Sequence, residues 1–221
     1  AKISADKIVL SYEGVTSLKA GEKSIKDFSD EKILMCYNIK HPYLLYVGNA
    51  YPHKNLETLL NVFKQLVDNR YQKISLVLIG KEDYFYKKIK EHAQKIRLTN
   101  DQVVFPGYVS DNELASFYKN ALSYVFPSLY EGFGLPPLEA MSMGCPVLSS
   151  SLTSMPEVLE DAALFFDPQD EKDFLKKMNI IIIDDQLRKS LVIKGLALIK
   201  KYSWDKCAMI TYDSYINSFI E

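Results

Sequence analysis

The sequence predicts a doubly wound α/β domain with a mostly parallel sheet that spans roughly residues 41–201. Three observations support this prediction. Short apolar runs alternate with segments of helical periodicity. The connections between them are short. Several apolar runs also end in glycine-containing turns, and in parallel sheets ligands bind beyond the carboxyl ends of the strands.

The first predicted strand and helix show this alternation clearly. Residues 44–48, LLYVG, are apolar and end in glycine. Residues 55–69, NLETLLNVFKQLVDN, carry leucine, valine and phenylalanine at helical spacing, so one face of this helix is predicted to lie in the core. Asn55 stands at its start and is well placed as an N-cap.

Further strands and helices follow in the same order. The predicted strands are ISLVLIG at 74–80, QVVFPG at 102–107, SYVFP at 123–127 and CPVLSS at 145–150. Helical or amphipathic patterns cover 84–96, 110–121, 138–144, 171–182, 186–201 and a last segment from Trp204. Ser110 or Asp111 is the expected N-cap of the helix at 110–121, and Gly144 ends the helix at 138–144. The turns after the strands are expected to cluster at one edge of the sheet.

Residues 1–40 differ from this pattern. They contain one strand-like piece, KIVLSYEGV at 7–15, followed by a charged stretch of weak periodicity. We interpret residues 1–40 as a linker segment, and residues 202–221 as a helix separate from the sheet domain.

Composition excludes several classes of function. The 221 residues carry 27 Lys and Arg against 28 Asp and Glu, so no basic excess points to nucleic acid as a partner. The three cysteines match no metal-ligand spacing and suit a reducing compartment. No apolar run approaches the roughly 20 residues of a membrane span. We therefore expect a cytoplasmic protein, and peripheral membrane contact through parts outside this chain stays open.

The stretch EGFGLPPLE at 131–139 is the strongest candidate site. Pro136 and Pro137 are expected at the first two positions of a helix, where a backbone N–H has no helical partner. The turn before them then leaves its amides free beside the positive end of the helix dipole, which favours an anion or a hydroxyl. Glu131 and Glu139 lie near the same corner, and their carboxylates suit sugar and ribose hydroxyls.

A second candidate is GNAYPHKN at 48–55, where Lys54 precedes the first helix at the same sheet edge. A lysine there can neutralise a diphosphate. Both candidates have plainer interpretations. The first is also consistent with a tight strand-to-helix turn whose glutamate interacts with the dipole, and a lone lysine is most often a solvated loop residue.

Taken together, these segments resemble the nucleotide-sugar-binding half of retaining glycosyltransferases of the GT-B architecture, in particular the large family four. The matching pieces occur in the family's order: YLLYVGNAYPHKNLETLL, ISLVLIGKED, VVFPGYVSDNELASFYKNA, YVFPSLYEGFGLPPLEAMSMGCPVLSS, SMPEVLEDAALFFDP and YSWDKCA. The resemblance covers about residues 42–221 and implies a Rossmann-like fold, one half of a GT-B architecture. Residues 1–15 resemble the crossing from a partner domain into this one.

The resemblance also implies roles for site residues. Glu131 and Glu139 match the family's E-x7-E motif, so Glu131 contacts the donor sugar and Glu139 the ribose hydroxyls. Lys54 matches the phosphate-binding lysine, and with Glu131 it forms the expected catalytic pair. The remaining donor-binding positions implied by the resemblance are Asn49, Tyr108, Val109, Gly132, Phe133, Gly134 and Leu135. The implied donor is a UDP- or GDP-linked hexose, of mannose or glucose type, with no cofactor and no metal required.

Two departures from the family pattern matter. Asn49 stands where many members have an arginine for the diphosphate, which leaves Lys54 as the main cation. The chain also has one convincing sheet domain, whereas such enzymes have two with the active site between them. We therefore expect that the acceptor-binding N-terminal domain of the same polypeptide is missing, that residues 202–221 cross back onto it, and that this chain alone binds nucleotide weakly and catalyses little.

Three other functions are less consistent with the sequence. A nucleotide-sugar epimerase or phosphorylase uses a similar fold, but the six ordered matches favour a transferase. A dinucleotide-binding dehydrogenase is disfavoured because G-x-G-x-x-G is absent and the GFG at 132–134 lacks the third glycine and lies late in the chain. A non-catalytic module of the same fold that acts through protein contact is the alternative, although intact Glu131, Glu139 and Lys54 argue against it.

Overall fold

A computed structural model describes residues 4, 7–16, 30–69, 71 and 73–220. Most of the charged stretch of the predicted linker, residues 17–29, therefore lies outside the described residues. The rest forms a sheet with helices on both faces.

The sheet of the described chain is parallel throughout. Its strands are β1 (Tyr43–Val47), β2 (Ser75–Ile79), β3 (Val103–Gly107), β4 (Ser123–Phe126), β5 (Val147–Ser150) and β6 (Ala163–Phe166). Their order is β3-β2-β1-β4-β5-β6, and each neighbouring pair runs parallel. The predicted doubly wound α/β class is confirmed, because successive strands are joined by crossovers that place helices on the two faces.

The helices match most of the predicted segments, and two of them, the first and the sixth, were not predicted. They are α1 (Asp30–Cys36), α2 (Leu56–Asn69), α3 (Tyr84–Lys95), α4 (Asp111–Asn120), α5 (Leu135–Ser142), α6 (Met155–Leu159), α7 (Glu171–Ile183), α8 (Asp185–Leu198) and α9 (Trp204–Ile220). Ser110 caps α4 as expected, in a capping box with Glu113, which explains the sharp start of that helix.

Strand side chains divide between two hydrophobic cores because successive residues point to opposite faces. Leu44 and Tyr46 of β1 pack on one face, together with side chains of α2, α3 and α7. Tyr43 and Leu45 pack on the other face, with side chains of α1, α4, α5 and α6. The sheet is thus buried on both sides, as its continuous apolar runs require.

Two features of the N-terminal part differ from expectation. The strand-like piece at 7–15 belongs to no strand, and its described residues run alongside the start of α9, where the amide of Val15 donates to the Tyr202 carbonyl at 3.2 Å. The helix α1 was not predicted, yet Leu34 is 1% exposed and lies in the core. Polar contacts to α4 hold α1 in place, including one of 2.7 Å between Ser116 and Asp30.

Asn55 is not the side-chain cap that the sequence predicted. Its backbone is left-handed, with φ of 57°, and its side-chain amide donates to the Pro168 carbonyl at 3.3 Å. An asparagine tolerates this conformation better than most residues, so it turns the chain into α2 through its backbone.

The carboxyl ends of the strands lie at one edge, and their turns contact one another. The amide of Gly48 donates to the Ile79 carbonyl, and that of Gly80 to the Gly107 carbonyl. The chain leaves β1 for one face of the sheet and leaves the adjacent β4 for the other. This topological switch point opens a crevice between the two turns, which is where ligands bind in open α/β sheets.

Candidate functional site

The turns after β1 and β4 bring Lys54 and Glu131 into direct contact. Lys54 ends a 3-10 turn at Pro52–Lys54, and Glu131 lies in the loop before α5. The Lys54 Nζ is 2.5 Å from the Glu131 Oε1, and each side chain is 14% exposed. At the β1/β4 switch point the structure therefore brings into contact two residues that lie in separate candidate segments of the sequence.

Two hydroxyl side chains after β5 fix the loop around Glu131. The Thr153 hydroxyl accepts a hydrogen bond from the Glu131 amide at 3.2 Å, and the Ser154 hydroxyl donates to the Glu131 carbonyl, also at 3.2 Å. Neither residue was predicted from the sequence. Their signal was present, because small hydroxyl residues directly after a parallel strand lie at the same edge as the site.

The start of α5 leaves backbone donors available. The helix begins at Leu135, one residue before the predicted start, and Gly134 precedes it in a left-handed conformation with φ of 88°. Proline follows at the second and third positions and contributes no N–H. Within the described chain, the amides of Gly132 and Phe133 donate to no protein acceptor. These donors can hold an anion or a hydroxyl.

The two glycines of this loop meet different surroundings. A Cβ on Gly132 would meet nothing within 4 Å. A Cβ on Gly134 would lie 2.5 Å from the Met155 Cε. Gly134 is therefore required by the loop's own conformation, whereas Gly132 leaves open space next to the free amides.

Glu139 lies one turn into α5 and is half-buried. Burial raises the pKa of its carboxyl above the ordinary value, and a 3.4 Å hydrogen bond from the Tyr118 hydroxyl partly opposes this. Tyr118 was not identified from the sequence, since it lies on α4 and carries no local motif. A carboxylate fixed in this way can accept two hydrogen bonds from neighbouring hydroxyls.

The other predicted donor-binding residues outside the loop before α5 lie in the turns after β1 and β3, and their side chains differ in exposure. Asn49 is exposed, and its Oδ1 accepts from the Tyr51 amide at 3.3 Å. Tyr108 is 78% exposed, while the Val109 side chain is 4% exposed and packs in the core. Only the backbone of Val109 can face a ligand, and its role against a nucleobase stays a prediction.

The chemistry of the corner is that of an anion and polyol site. It combines one partly buried cation, free amides at a helix start and two carboxylates, and such preorganised groups stabilise a developing negative charge. Within the described ranges, no group of three or more His, Cys, Asp or Glu side chains converges to hold a metal ion. Nor does any helix of the described chain combine the length and apolar character needed to span a membrane.

Known proteins share both the sequence and the fold. O-antigen chain mannosyltransferase B of Escherichia coli is 36% identical over 177 residues, which are 78% of this chain and 45% of that protein. O-antigen chain mannosyltransferase RfbU of Salmonella typhimurium is 36% identical over 155 residues, 65% of this chain and 42% of that protein. The matched part of this chain thus covers less than half the length of either relative.

Solved structures agree. Sucrose-phosphate synthase from Thermosynechococcus elongatus superposes with a TM-score of 0.76 at 26% identity, covering 94% of this chain and 52% of that one. WaaG, a glycosyltransferase involved in lipopolysaccharide biosynthesis, shares the fold with a TM-score of 0.75 at 17% identity, over 96% of this chain and 57% of that one. The family model described as glycosyl transferases group 1 matches residues 37–196, and the chain belongs to that family.

Proposed function

We propose that this chain is the donor-binding domain of a retaining glycosyltransferase that transfers a hexosyl group from a nucleoside-diphosphate sugar to a glycan or lipid-linked acceptor. The observation that carries the proposal is the Lys54–Glu131 pair, which lies largely buried at the switch point beside free amides. Family membership supports it, as does the position of Glu139 at the same corner.

Each group has a task in this proposal. Lys54 and the loop amides offset the charge that develops on the departing diphosphate when the glycosidic bond breaks. Glu131 holds hydroxyls of the donor sugar, and Glu139 accepts from the ribose hydroxyls. The backbone around Val109 lies against the base. Retention of configuration is taken from the family resemblance.

The hexose is proposed to be mannose. The two bacterial relatives that are 36% identical are both named as mannosyltransferases of the O-antigen chain, which also favours a polysaccharide acceptor. The base, uracil or guanine, is left to the titration below.

A second domain is proposed to complete the active site. The described part of α9 has no buried residue, and it exposes Trp204, Met209 and Tyr212. The neighbouring residues 8–10 are also apolar and about 60% exposed. An apolar surface of this kind favours a protein partner. The acceptor-binding domain of the same polypeptide fits, because the match to this chain covers only 45% of the mannosyltransferase relative.

A cytoplasmic location belongs to the same proposal. Cys36 is exposed and Cys207 half-buried, and both are free thiols, which suits a reducing compartment.

Calorimetric titration with UDP and with GDP tests the proposal, in the unchanged chain and in Glu139→Ala. Glu91→Ala is the matched control, because Glu91 is an exposed helix glutamate on α3 whose pair with Lys88 is on the surface. We expect one nucleotide to bind, Glu139→Ala to weaken it roughly tenfold or more, and Glu91→Ala to leave it unchanged. Absence of binding here and in the full-length enzyme would favour the non-catalytic interaction module.

A further inference from the structure

Three aromatic rings connect the loop at 131–134, here named the donor loop after its proposed role, to the segment that enters this domain and to the segment that leaves it. Phe133 belongs to the loop, Tyr12 to the segment at 11–16, and Tyr202 to the segment before α9. The Phe133 ring centroid is 5.9 Å from that of Tyr12 and 5.5 Å from that of Tyr202. The Tyr12 and Tyr202 rings are themselves 5.9 Å apart, edge to face.

The two segments are fixed to each other at this place. The Trp204 Nε1 donates to the Thr16 hydroxyl at 3.0 Å, next to the backbone bond from Val15 to Tyr202. Gly14 lies so close that a Cβ there would be 2.2 Å from the Trp204 backbone nitrogen. The segments therefore form one unit, and Tyr12 projects from it onto the loop.

Tyr12 has a second anchor in α6. Its hydroxyl donates to the Glu157 Oε1 at 2.5 Å, and this bond raises the pKa of Tyr12, which keeps the hydroxyl a donor. Glu157 lies in the first turn of α6, next to Ser154, whose hydroxyl holds the Glu131 carbonyl. Tyr12 is still 37% exposed, so its contacts add little to the core.

We propose that Tyr12 is a positioning residue for donor binding: the segment entering the domain sets the place of Phe133 and, through it, of the amides at the start of α5. This inference rests on the proposed function, since it assigns those amides to the sugar and diphosphate. A movement of the entering segment, such as one that accompanies closure of a second domain, is then transmitted directly to the donor loop.

The test compares two ligands in each variant: the nucleoside-diphosphate sugar and the matching nucleoside monophosphate. Tyr12→Leu is expected to weaken the sugar nucleotide roughly three- to tenfold and to leave the monophosphate unchanged, because one aromatic contact is lost at the sugar end only. Tyr12→Phe retains the ring and is expected to change both affinities less than about twofold. Tyr212→Leu, which removes an exposed tyrosine of α9, is the control.

The outcomes separate the two proposals. If neither the unchanged chain nor the full-length enzyme binds either ligand, the proposed function fails and the inference with it. If the unchanged chain binds both ligands and Tyr12→Leu leaves the ratio of the two affinities unchanged, the inference alone is overturned. This holds whether both affinities stay the same or both fall by the same factor. A thermal melt of each variant checks folding, and Phe133→Leu must reproduce the shifted ratio from the other side of the contact.

Discussion

Lys54 and Glu131 neutralise each other across the boundary between β1 and β4, with Nζ and Oε1 2.5 Å apart. In the proposed reaction they act on different parts of the donor, the diphosphate and the sugar. A donor that enters the site must take over part of an interaction that already exists. The pair thus couples the stability of two loops to the binding of a ligand between them.

Breaking this pair on one side is expected to destabilise the fold. Lys54→Met leaves the Glu131 carboxylate partly buried without its cation, so the free energy of unfolding should fall by about 2–4 kcal/mol. Glu131→Gln should act similarly, and the double variant should recover most of the loss. Denaturant unfolding measures all three. Lys40→Met is the control, because the Lys40–Asp101 pair is 68% and 79% exposed and should contribute less than about 1 kcal/mol. Strictly additive losses in the double variant would contradict coupling of the pair.

An arginine at position 49 is expected to strengthen diphosphate binding. Asn49 is exposed at the end of β1, so Asn49→Arg adds a cation without burying it. Affinity for the nucleoside diphosphate should rise roughly three- to tenfold at low ionic strength and lose that gain in high salt, because the added attraction is screened. Affinity for the nucleoside should not change. An equal gain with Asn49→Gln would show that charge is not the cause.

Nucleoside binding is expected to weaken in acid because of Glu139. Burial raises the pKa of its carboxyl above the ordinary value, and in the proposed function the ribose hydroxyls donate to the ionised form. Affinity should therefore decline as the pH falls from neutrality through the raised pKa. Titration with the nucleoside, which carries no phosphate, isolates this group. Glu139→Gln should bind weakly at every pH, and a pH profile that persists in this variant would assign the effect elsewhere.

The same carboxyl acts in the opposite direction on the stability of the unliganded chain. Because its pKa is higher in the folded state than in the unfolded state, its stabilising contribution is full below the unfolded value and is lost as the pH rises through the folded value. Glu139→Gln should remove this part of the pH dependence in thermal melts. Acid therefore favours the fold through Glu139 while it disfavours the ligand.

The glycines of the donor loop are expected to separate stability from binding. Gly134→Ala places a side chain at φ of 88° and against Met155, so it should cost about 1–2 kcal/mol of unfolding free energy. Gly132→Ala meets open space and should change stability by less than about 0.5 kcal/mol. This variant should nevertheless lower the affinity for the sugar nucleotide, because the added methyl group enters the space proposed for the ligand. Unchanged affinity in Gly132→Ala would contradict the proposal that the donor binds next to this loop.

The buried hydroxyl of Tyr86, a residue of α3, is not expected to stabilise the fold. The side chain is 1% exposed, and within the described chain its hydroxyl has no hydrogen-bond partner. Removing that hydroxyl in Tyr86→Phe should leave the unfolding free energy unchanged or raise it by up to about 1 kcal/mol. Calorimetry measures the change. A loss would mean that the hydroxyl is satisfied in solution.

Five of the six strands of the described chain, and the edge with the candidate site, followed from sequence patterns because their signals are local. The strand β6 was not predicted. Each predicted strand is a short apolar run. Ser110 and Glu113 have the spacing of a capping box, and the two prolines mark the start of α5. Lys54 and Glu131 could be proposed individually, since each follows a strand and parallel strands bring their ends together.

The remaining features depend on contacts that no local pattern encodes. The helix α1 is short and turns mainly one side chain, Leu34, into the core, which leaves no periodicity to detect. The apolar residues at 8–10 read as a strand, yet they pair with no strand in the described chain. Tyr12 and Tyr202 lie near opposite ends of the sequence, yet their rings are in contact. Only the fold shows that both also contact Phe133.

The side-by-side course of residues 11–16 and 202–207 has a practical consequence for recombination. Both covalent connections to any neighbouring domain pass through one corner, where Val15 and Tyr202 are hydrogen-bonded. Exchanging this domain between relatives therefore needs two junctions, one in each segment, and these junctions lie next to each other. Placing the cuts before Tyr12 and after Cys207 keeps the aromatic contact inside the exchanged piece, so a chimera inherits the donor loop together with the segment that sets its position.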